Sequence, residues 1–94
     1  MSYATFYDLI TDELFDKKSL AALVYLIECG RELEFKYNGK EYFISKSKAK
    51  EHVSLWGEGK EQSFSHTDEL IANAVIDEKS FHSVWNDLTL TYLF

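Results

Sequence analysis

The dipeptide Asn38-Gly39 lies between two segments in which apolar and polar side chains alternate. The first segment runs from Glu32 to Tyr37 and the second from Lys40 to Ser45. A two-residue turn of type I′ needs positive φ at both central positions, which Asn and Gly tolerate best, and its twist suits two antiparallel strands. The sequence therefore predicts a β-hairpin that is closed by this turn.

A turn of two residues also fixes which residues oppose each other in the hairpin. The predicted pairs are Tyr37 with Lys40, Phe35 with Tyr42 and Leu33 with Ile44 on one face, and Lys36 with Glu41 on the other. Phe43 falls on the face opposite Phe35 and Ile44. Either a helix covers Phe43, or its ring forms an exposed apolar anchor beside Glu34.

Two helices are predicted before the hairpin. Residues 3–15 carry apolar side chains at helical spacing, at Tyr3, Phe6, Ile10 and Leu14. A second helix is expected from Leu20 to Glu28 or Cys29, with the hydroxyl of Ser19 as its N-terminal cap and the left-handed Gly30 after its end. The second helix is apolar nearly all round, so it lies either deep in the core or against a partner, which includes a homodimer.

The second half of the chain predicts further strands and short helices. His52 to Trp56 alternates like a strand, and Gln62 to Phe64 is an optional short returning strand. Thr67-Asp68-Glu69 has the chemistry of a helix start, with the Thr67 hydroxyl as the capping oxygen and acids in the first turn, and a short helix to about Ala74 follows. Asp77-Glu78-Lys79 then turns the chain. Ser80 is the expected cap of a third helical stretch, and Thr89 to Phe94 reads as a closing strand with a period of two.

This order of elements is typical of the α+β class. The expected fold is a single domain over residues 1–94, with a three- or four-stranded, mostly antiparallel sheet, N-terminal helices, C-terminal helices and a closing strand. The predicted core is Phe6, Ile10, Leu14, Leu23, Ile27, Leu33, Phe35, Ile44, Leu55, Leu70, Ile71, Val84, Trp85, Leu88, Leu90 and Tyr92.

The segment from Gly30 to Ser45 resembles part of a group of small uncharacterised proteins from Gram-positive bacteria and their mobile elements. The segment from Ile76 to Trp85 and the aromatic C-terminus are similar to the same group, so the resemblance covers roughly residues 30–94. The shared motifs are structural, and the resemblance implies no activity and no catalytic residue.

Charge and composition discount several functions. The formal net charge is −6, and acidic chains bind nucleic acid poorly because phosphates must be neutralised by Lys and Arg. A nucleic-acid-binding module therefore stays only as an alternative. It would use the aromatic side chains Tyr42, Phe43 and Trp56 together with nearby lysines, which are Lys36, Lys40, Lys46, Lys48, Lys50 and Lys60.

No motif for a metal, a cofactor or a catalytic nucleophile is recognisable, so a non-enzymatic protein without a cofactor is expected and a minor enzyme is the remaining alternative. The lone cysteine, Cys29, excludes an internal disulfide framework and is predicted to be a buried thiol. The longest apolar run, Leu20 to Ile27, is too short to span a bilayer, and the first residues lack a signal-peptide pattern. We therefore expect a cytoplasmic protein that does not enter a membrane.

Binding to another protein is the predicted function. Phe43 and Trp56 are the aromatic candidates for the contact surface. The acidic candidates lie at two ends of the chain, and they are Asp12, Glu13, Asp16, Asp77 and Glu78. Such carboxylates permit a narrower hypothesis, in which an inhibitor encoded by a mobile element mimics nucleic acid in the basic groove of its target. Solubility alone is the other explanation of the same charge.

Overall fold

The structure is a computed structural model that describes residues 5–49 and 51–94. The described helices are α1 (Phe6–Lys17), α2 (Leu20–Glu28), α3 (Thr67–Asn73) and α4 (Phe81–Val84), and a 3-10 turn at Trp85–Asp87 continues α4. The described strands are β1 (Leu33–Tyr37), β2 (Lys40–Ser47), β3 (His52–Gly57), β4 (Lys60–Phe64), β5 (Val75–Ile76), β6 (Lys79–Ser80) and β7 (Thr89–Leu93).

The α+β class is confirmed, with helices before the sheet and a closing strand at its end. The main sheet has the strand order β4-β3-β2-β1-β7 with every pair antiparallel. It therefore has five strands, and the prediction of three or four was too low. The short returning strand predicted around Gln62 to Phe64 is present as β4. It forms because Glu58-Gly59, with φ of 52° and 74°, makes a second two-residue turn with positive φ at both positions. β5 and β6 form a separate two-stranded hairpin.

The predicted hairpin and its register are confirmed. Asn38 and Gly39 have φ of 51° and 76°, as the two-residue turn requires. The opposing pairs include Phe35 with Tyr42, Leu33 with Ile44 and Lys36 with Glu41. Local turn chemistry alone was sufficient to predict this part of the sheet.

The sheet has one covered face, which we call the inner face. Its buried side chains are Leu33, Phe35, Tyr37, Tyr42, Ile44, Val53 and Leu55. Helix α2 packs on β2, and α3 packs on β3 and β4. The core is completed by helical and loop residues: Leu14, Ala22, Leu23, Leu26, Ile27, Leu70, Ala74, Ile76, Phe81, Val84, Trp85 and Leu88. The opposite, outer face carries Glu34, Phe43 and Trp56.

Helix α2 forms as predicted and is covered within the chain. The hydroxyl of Ser19 accepts a hydrogen bond from the backbone N–H of Ala22 at 3.1 Å, and Gly30 follows the helix with φ of 92°. Leu23 and Ile27 are buried, while Leu20 packs against the core. The apolar surplus that suggested a partner for this helix is thus largely buried by the protein itself.

Helix α1 runs over Phe6–Lys17 instead of residues 3–15, and the predicted position of Tyr3 lies outside the described residues. Leu14 is buried and Ile10 packs against the core, but Phe6 is 58% exposed, so its assignment to the core was wrong. Phe6 lies in the first turn of α1, and its ring packs edge-to-face on the exposed Tyr25, 5.4 Å between centroids. Helical periodicity gives the face of a helix but not how far the core extends along it.

The assignment of Tyr92 to the core was also wrong, because β7 contains a bulge. Glu34 pairs with Tyr92 and Phe35 pairs with Leu90, so Thr91 is an extra residue on β7. The extra residue breaks the period of two. Leu90 and Leu93 therefore pack against the core, whereas Tyr92 points to the outer face and is 63% exposed.

Three local predictions fail at helix ends. His66, not Thr67, is the N-terminal cap residue of α3, and the hydroxyl of Thr67 instead donates to the Glu28 carboxylate. Ser80 precedes α4 without a side-chain capping bond. Cys29 follows the last turn of α2 and is exposed instead of buried. Within the described residues, no helix has the length and apolar character needed to cross a membrane.

Candidate functional site

The register of the sheet places five side chains in one row across the outer face. Reading from β7 to β4, the row consists of Tyr92, Glu34, Phe43, Trp56 and Glu61. Directly opposed residues on neighbouring antiparallel strands have Cβ atoms about 4.5–5.5 Å apart, so adjacent members of the row are in reach of each other. The two aromatic residues predicted for binding, Phe43 and Trp56, are therefore neighbours.

Four aromatic side chains form what we call the aromatic surface: Phe43, Trp56, Tyr92 and Phe94. The ring of Phe94 lies between two of the others, with its centroid 6.1 Å from that of Phe43 and 6.0 Å from that of Tyr92. Trp56 is 45% exposed, Phe94 is exposed, and Phe43 is half-buried. Large apolar rings that remain this accessible on one sheet face are typical of interaction surfaces.

A shallow groove of about 400 Å³ lies on the aromatic surface. It is lined by Glu34, Glu41, Tyr42, Phe43, Trp56 and Gly57. The Glu34 carboxylate accepts a hydrogen bond from the Thr91 hydroxyl at 3.0 Å, which orients it. Glu41 is exposed and lies 3.9 Å from the Lys36 ammonium, a long ion pair that leaves the carboxylate accessible.

The groove combines two aromatic rings with two carboxylates. A ring face attracts a cation through its quadrupole, and tryptophan does so most strongly. Carboxylates accept charge-assisted hydrogen bonds from guanidinium or ammonium groups. The chemistry of the groove therefore suits a cationic side chain that carries an apolar stem, such as arginine or lysine.

A histidine, two hydroxyls and a carboxylate also meet on the outer face, at the β3–β4 edge. Glu61 accepts hydrogen bonds from Ser54 at 2.5 Å and Ser63 at 3.0 Å, and His52 Nε2 lies 3.6 Å from it. A nucleophilic serine needs its hydroxyl to be hydrogen-bonded to a base that can take the proton. Here both hydroxyls donate to the Glu61 carboxylate, and the hydrogen bond from Ser54 is the main reason that the pKa of Glu61 is lowered. A carboxylate with a lowered pKa is a weak base, so this arrangement joins β4 to β3 and does not activate a serine.

A second cleft, of about 740 Å³, lies where the β5–β6 hairpin meets the sheet. Asp77 on its wall accepts hydrogen bonds from Asn38 Nδ2 at 2.9 Å and from Lys40 Nζ at 3.2 Å. Lys40 also lies 3.0 Å from Glu58. The pKa of Asp77 is lowered mainly by the hydrogen bond from Asn38 and, to a smaller extent, by the hydrogen bond from Lys40. The Asp77 carboxylate thus joins the β5–β6 turn to the β1–β2 turn. The neighbouring Glu78 is exposed.

The remaining acidic candidates lie on α1. Glu13 forms an i, i+4 ion pair with Lys17 at 3.2 Å, Asp12 is half-buried and Asp16 is exposed. Asp12, Glu13 and Asp16 belong to a helix, whereas Asp77 and Glu78 belong to a tight turn. Of the acidic candidates, Asp77 and Glu13 have partners within the chain.

Three of the lysines of the hairpin region have carboxylate partners, whereas Lys48 and Lys60 are exposed and form no ion pair among the described residues. Lys36 is paired with Glu41, and Lys40 with Glu58 and Asp77. Lys46 lies 3.2 Å from Glu28, which also accepts the Thr67 hydroxyl. Lys50 lies outside the described residues. Carboxylate partners reduce the positive field that a phosphate backbone requires, so these pairs weigh against the nucleic-acid alternative.

Within residues 5–49 and 51–94, no three side chains of His, Cys, Asp or Glu are arranged to hold a metal ion. Polar side chains converge in the groove, in the Glu61 cluster, at the Asp77 turn and around Glu28, which contacts Lys46 and Thr67.

Sequence reasoning missed three contributors to the aromatic surface. Tyr92 was assigned to the core, Phe94 was treated only as the end of the last strand, and Glu41 only as a partner of Lys36. The predicted hairpin register already placed Glu34, Glu41 and Phe43 on one face, so the acidic lining was readable from the sequence. The outward turn of Tyr92 was not, because it depends on the bulge at Thr91.

No protein-family model, no curated protein and no solved structure matches this chain. The resemblance to small proteins of Gram-positive bacteria and their mobile elements stays a prediction.

Proposed function

We propose that this chain is a non-enzymatic protein-binding module whose groove receives an arginine or lysine from a basic segment of a cytoplasmic partner protein. The observation that carries the proposal is the pairing of Phe43 with the exposed Trp56 in a groove that Glu34 and Glu41 also line. Aromatic residues and desolvated charge contacts supply most of the energy of typical interfaces. A modulator or inhibitor of the partner would act through this surface.

The expected affinity is modest for an isolated segment. A cation over an exposed tryptophan contributes about 0.5–1 kcal/mol, and more as water is excluded. The carboxylates of Glu34 and Glu41 add charge-assisted hydrogen bonds and favour approach of a basic segment over an acidic one. Burial of Tyr92 and Phe94 under the flanking residues of the segment would supply the apolar part of the interface.

Two related functions make different demands on the same molecule. A nucleic-acid ligand would bring phosphates towards Glu34 and Glu41, which repel them, and would have to displace the carboxylates from Lys36, Lys40 and Lys46. Nucleic-acid mimicry is a narrower form of our proposal, in which the partner's basic segment is itself a nucleic-acid-binding surface. It would also involve the exposed Asp16 and Glu78.

Tryptophan fluorescence tests the proposal directly, because the two tryptophans differ in environment. Trp56 is exposed, whereas Trp85 is buried and donates its indole N–H to the Lys18 carbonyl at 2.7 Å. We expect an extended arginine-containing peptide to change the Trp56 emission in a saturable manner. A peptide with glutamine in place of each arginine is the matched ligand control, and a single-stranded oligonucleotide tests the rival.

Variants assign the response to the groove. Trp56→Phe should leave only the buried Trp85 as emitter and abolish the fluorescence change, and Trp56→Ala should weaken peptide binding measured by calorimetry at least about tenfold. Glu41→Gln should also weaken it. Asp12→Asn removes one negative charge on α1 and should leave the affinity nearly unchanged. Equal losses for Glu41→Gln and Asp12→Asn, or binding of the oligonucleotide alone, would refute the groove as the site.

A further inference from the structure

Two carboxylates of the outer face lie on either side of the paired rings of Phe43 and Trp56. In the row across the sheet, Glu34 of β1 is next to Phe43, and Glu61 of β4 is next to Trp56. Neighbouring strands lie about 4.8 Å apart, so Glu34 and Glu61, which are three strands apart, are separated by about 14 Å. The row therefore has two acidic points with an apolar centre between them.

Each of these two carboxylates is held by the sheet through one oxygen atom. Glu34 Oε1 accepts the hydrogen bond from the Thr91 hydroxyl at 3.0 Å. Glu61 Oε2 accepts hydrogen bonds from the hydroxyls of Ser54 and Ser63. Among the described residues, Glu34 Oε2 and Glu61 Oε1 have no hydrogen-bond partner. Both carboxylates are thus oriented by the protein and keep one oxygen available for a ligand.

We propose that the row binds an extended basic segment of the partner protein through two cationic side chains four residues apart, the first at Glu34 and the second at Glu61. The first cation is the arginine or lysine of the proposed function, on which this inference rests. The second cation is a new contact, and together the two define the kind of segment that the surface recognises.

The spacing of four residues follows from the geometry of an extended chain. Such a chain advances about 3.3–3.4 Å per residue, so residues i and i+4 are about 13–14 Å apart, which matches the separation of Glu34 and Glu61. Successive side chains point in opposite directions, so residues i, i+2 and i+4 all face the sheet. Residue i+2 then meets Phe43 and Trp56, which favour an apolar side chain. The expected motif is basic, any, apolar, any, basic.

Charge complementarity favours a basic segment as the occupant of the row. The available oxygens of Glu34 and Glu61 accept charge-assisted hydrogen bonds from guanidinium or ammonium groups. Because both carboxylates are already oriented, binding immobilises less side-chain freedom than at a mobile surface glutamate. A phosphate backbone or a second copy of this chain, with its formal charge of −6, would be repelled. An uncharged apolar segment would cover the carboxylates without pairing them, which is costly.

A series of peptides of equal length and charge tests the spacing on the native protein. Each peptide has blocked ends, two arginines and one leucine between them in a background of serine and glycine, and the arginines stand two, three, four or six residues apart. A further peptide has glutamine in place of the second arginine. We expect the spacing of four to bind about threefold to fivefold more tightly than the other spacings in calorimetry, the usual effect of one partly exposed ion pair.

A substitution at Glu61 locates the second contact. Glu61→Gln should remove the advantage of the four-residue spacing and leave the affinity for the single-arginine peptide nearly unchanged. Glu58→Gln is the matched control, because it removes the same charge from the same β3–β4 hairpin. The Glu58 carboxylate lies near the hydroxyl of Tyr42, whose side chain belongs to the inner face, and contacts Lys40. Glu58→Gln should therefore keep the spacing preference. Near-ultraviolet circular dichroism verifies that both variants are folded.

Three outcomes distinguish failure of the two-point contact from failure of the proposed function. If the single-arginine peptide binds and Glu41→Gln weakens it, but the four spacings bind equally, the groove stands and the two-point contact is wrong. If the spacing of four is preferred but Glu61→Gln leaves the preference unchanged, the second contact does not lie at Glu61 and the proposal is overturned. If no peptide binds saturably, the proposed function and the two-point contact both fail.

Discussion

At the scale of single residues, Gly57 is a position in the sheet that has no room for a side chain. It pairs with Tyr42 across β2 and β3, and the tyrosine ring lies over the glycine. A Cβ atom built at position 57 would lie 2.2 Å from Tyr42 Cδ1, far closer than atoms approach in real proteins. We expect Gly57→Ala to lower the free energy of unfolding by about 1–3 kcal/mol, the usual cost of overpacking, as measured by urea denaturation.

A double-mutant cycle separates this clash from the strand preference of alanine. In a Tyr42→Ala background the ring is absent, and Gly57→Ala should then cost little or become stabilising. The same loss in both backgrounds would contradict the role of the Tyr42 ring.

The backbone of Glu78 is the second restricted position. Asp77 and Glu78 form the two-residue turn between β5 and β6, with φ of 51° and 67°. The left-handed conformation suits glycine or asparagine but not glutamate. Glu78→Gly should therefore raise the free energy of unfolding by roughly 0.5–1 kcal/mol in thermal or urea denaturation, since the relief of strain exceeds the entropic cost of a glycine.

Gly39, with φ of 76° at the equivalent position of the β1–β2 turn, supplies the opposite test. No atom lies within 4 Å of a Cβ built there, so Gly39→Ala probes the backbone alone and should be destabilising. A Glu78→Gly variant that is less stable than the native chain would mean that the Glu78 side chain makes a contribution larger than the strain.

At the scale of elements, the β5–β6 hairpin is held to the sheet by polar contacts at its two ends. Gln62 clamps Val75, and Asp77 bonds to Asn38 and Lys40. Asp77→Ala should therefore release the turn, which hydrogen exchange would register as faster exchange of the amides in residues 75–80. Amides of the β1–β2 hairpin should keep most of their protection. Unchanged exchange in residues 75–80 would show that packing of Ile76 holds the hairpin without Asp77.

Elements whose geometry is set by neighbouring residues were predictable from the sequence. The Asn38-Gly39 turn dictated the pairing of Phe35 with Tyr42, and the Ser19 hydroxyl and Gly30 marked the two ends of α2. The period of two in β7 failed because the bulge at Thr91 arises from pairing with β1, a contact between distant parts of the chain. The exposure of Phe6 likewise depends on where the core ends and not on helical period.

At the scale of the whole molecule, the candidate groove could be predicted only in part. The hairpin register placed Phe43 beside Glu34, so one half of the row was fixed by local turn chemistry. The other half needs the register of β2 with β3, which sets Phe43 opposite Trp56 across a longer connection that carries no turn signal of comparable strength. The last member, Tyr92, joins the row only through the bulge.

The stability of the whole fold should depend on pH through carboxylates that join separate elements. Glu28 of α2 accepts hydrogen bonds from Thr67 of α3 and Lys46 of β2, and the Thr67 bond is the main reason that the pKa of Glu28 lies below its ordinary value. The pKa values of Glu61 and Asp77 are lowered too. A lowered pKa in the folded state means that the unfolded chain binds more protons in acid, so acid favours unfolding.

We therefore expect the free energy of unfolding, measured by urea denaturation, to be highest near neutral pH and to fall progressively below about pH 5. Glu28→Gln should be less stable than the native chain at neutral pH, and the two curves should converge in acid, where Glu28 itself is protonated and uncharged. Thr67→Val keeps the Glu28 carboxylate but removes its main hydrogen bond. This variant should also be less stable than the native chain at neutral pH, and the difference should become smaller in acid. Curves that run parallel to that of the native chain over the whole pH range would show that Glu28 joins α2, α3 and β2 in geometry without contributing to their stability.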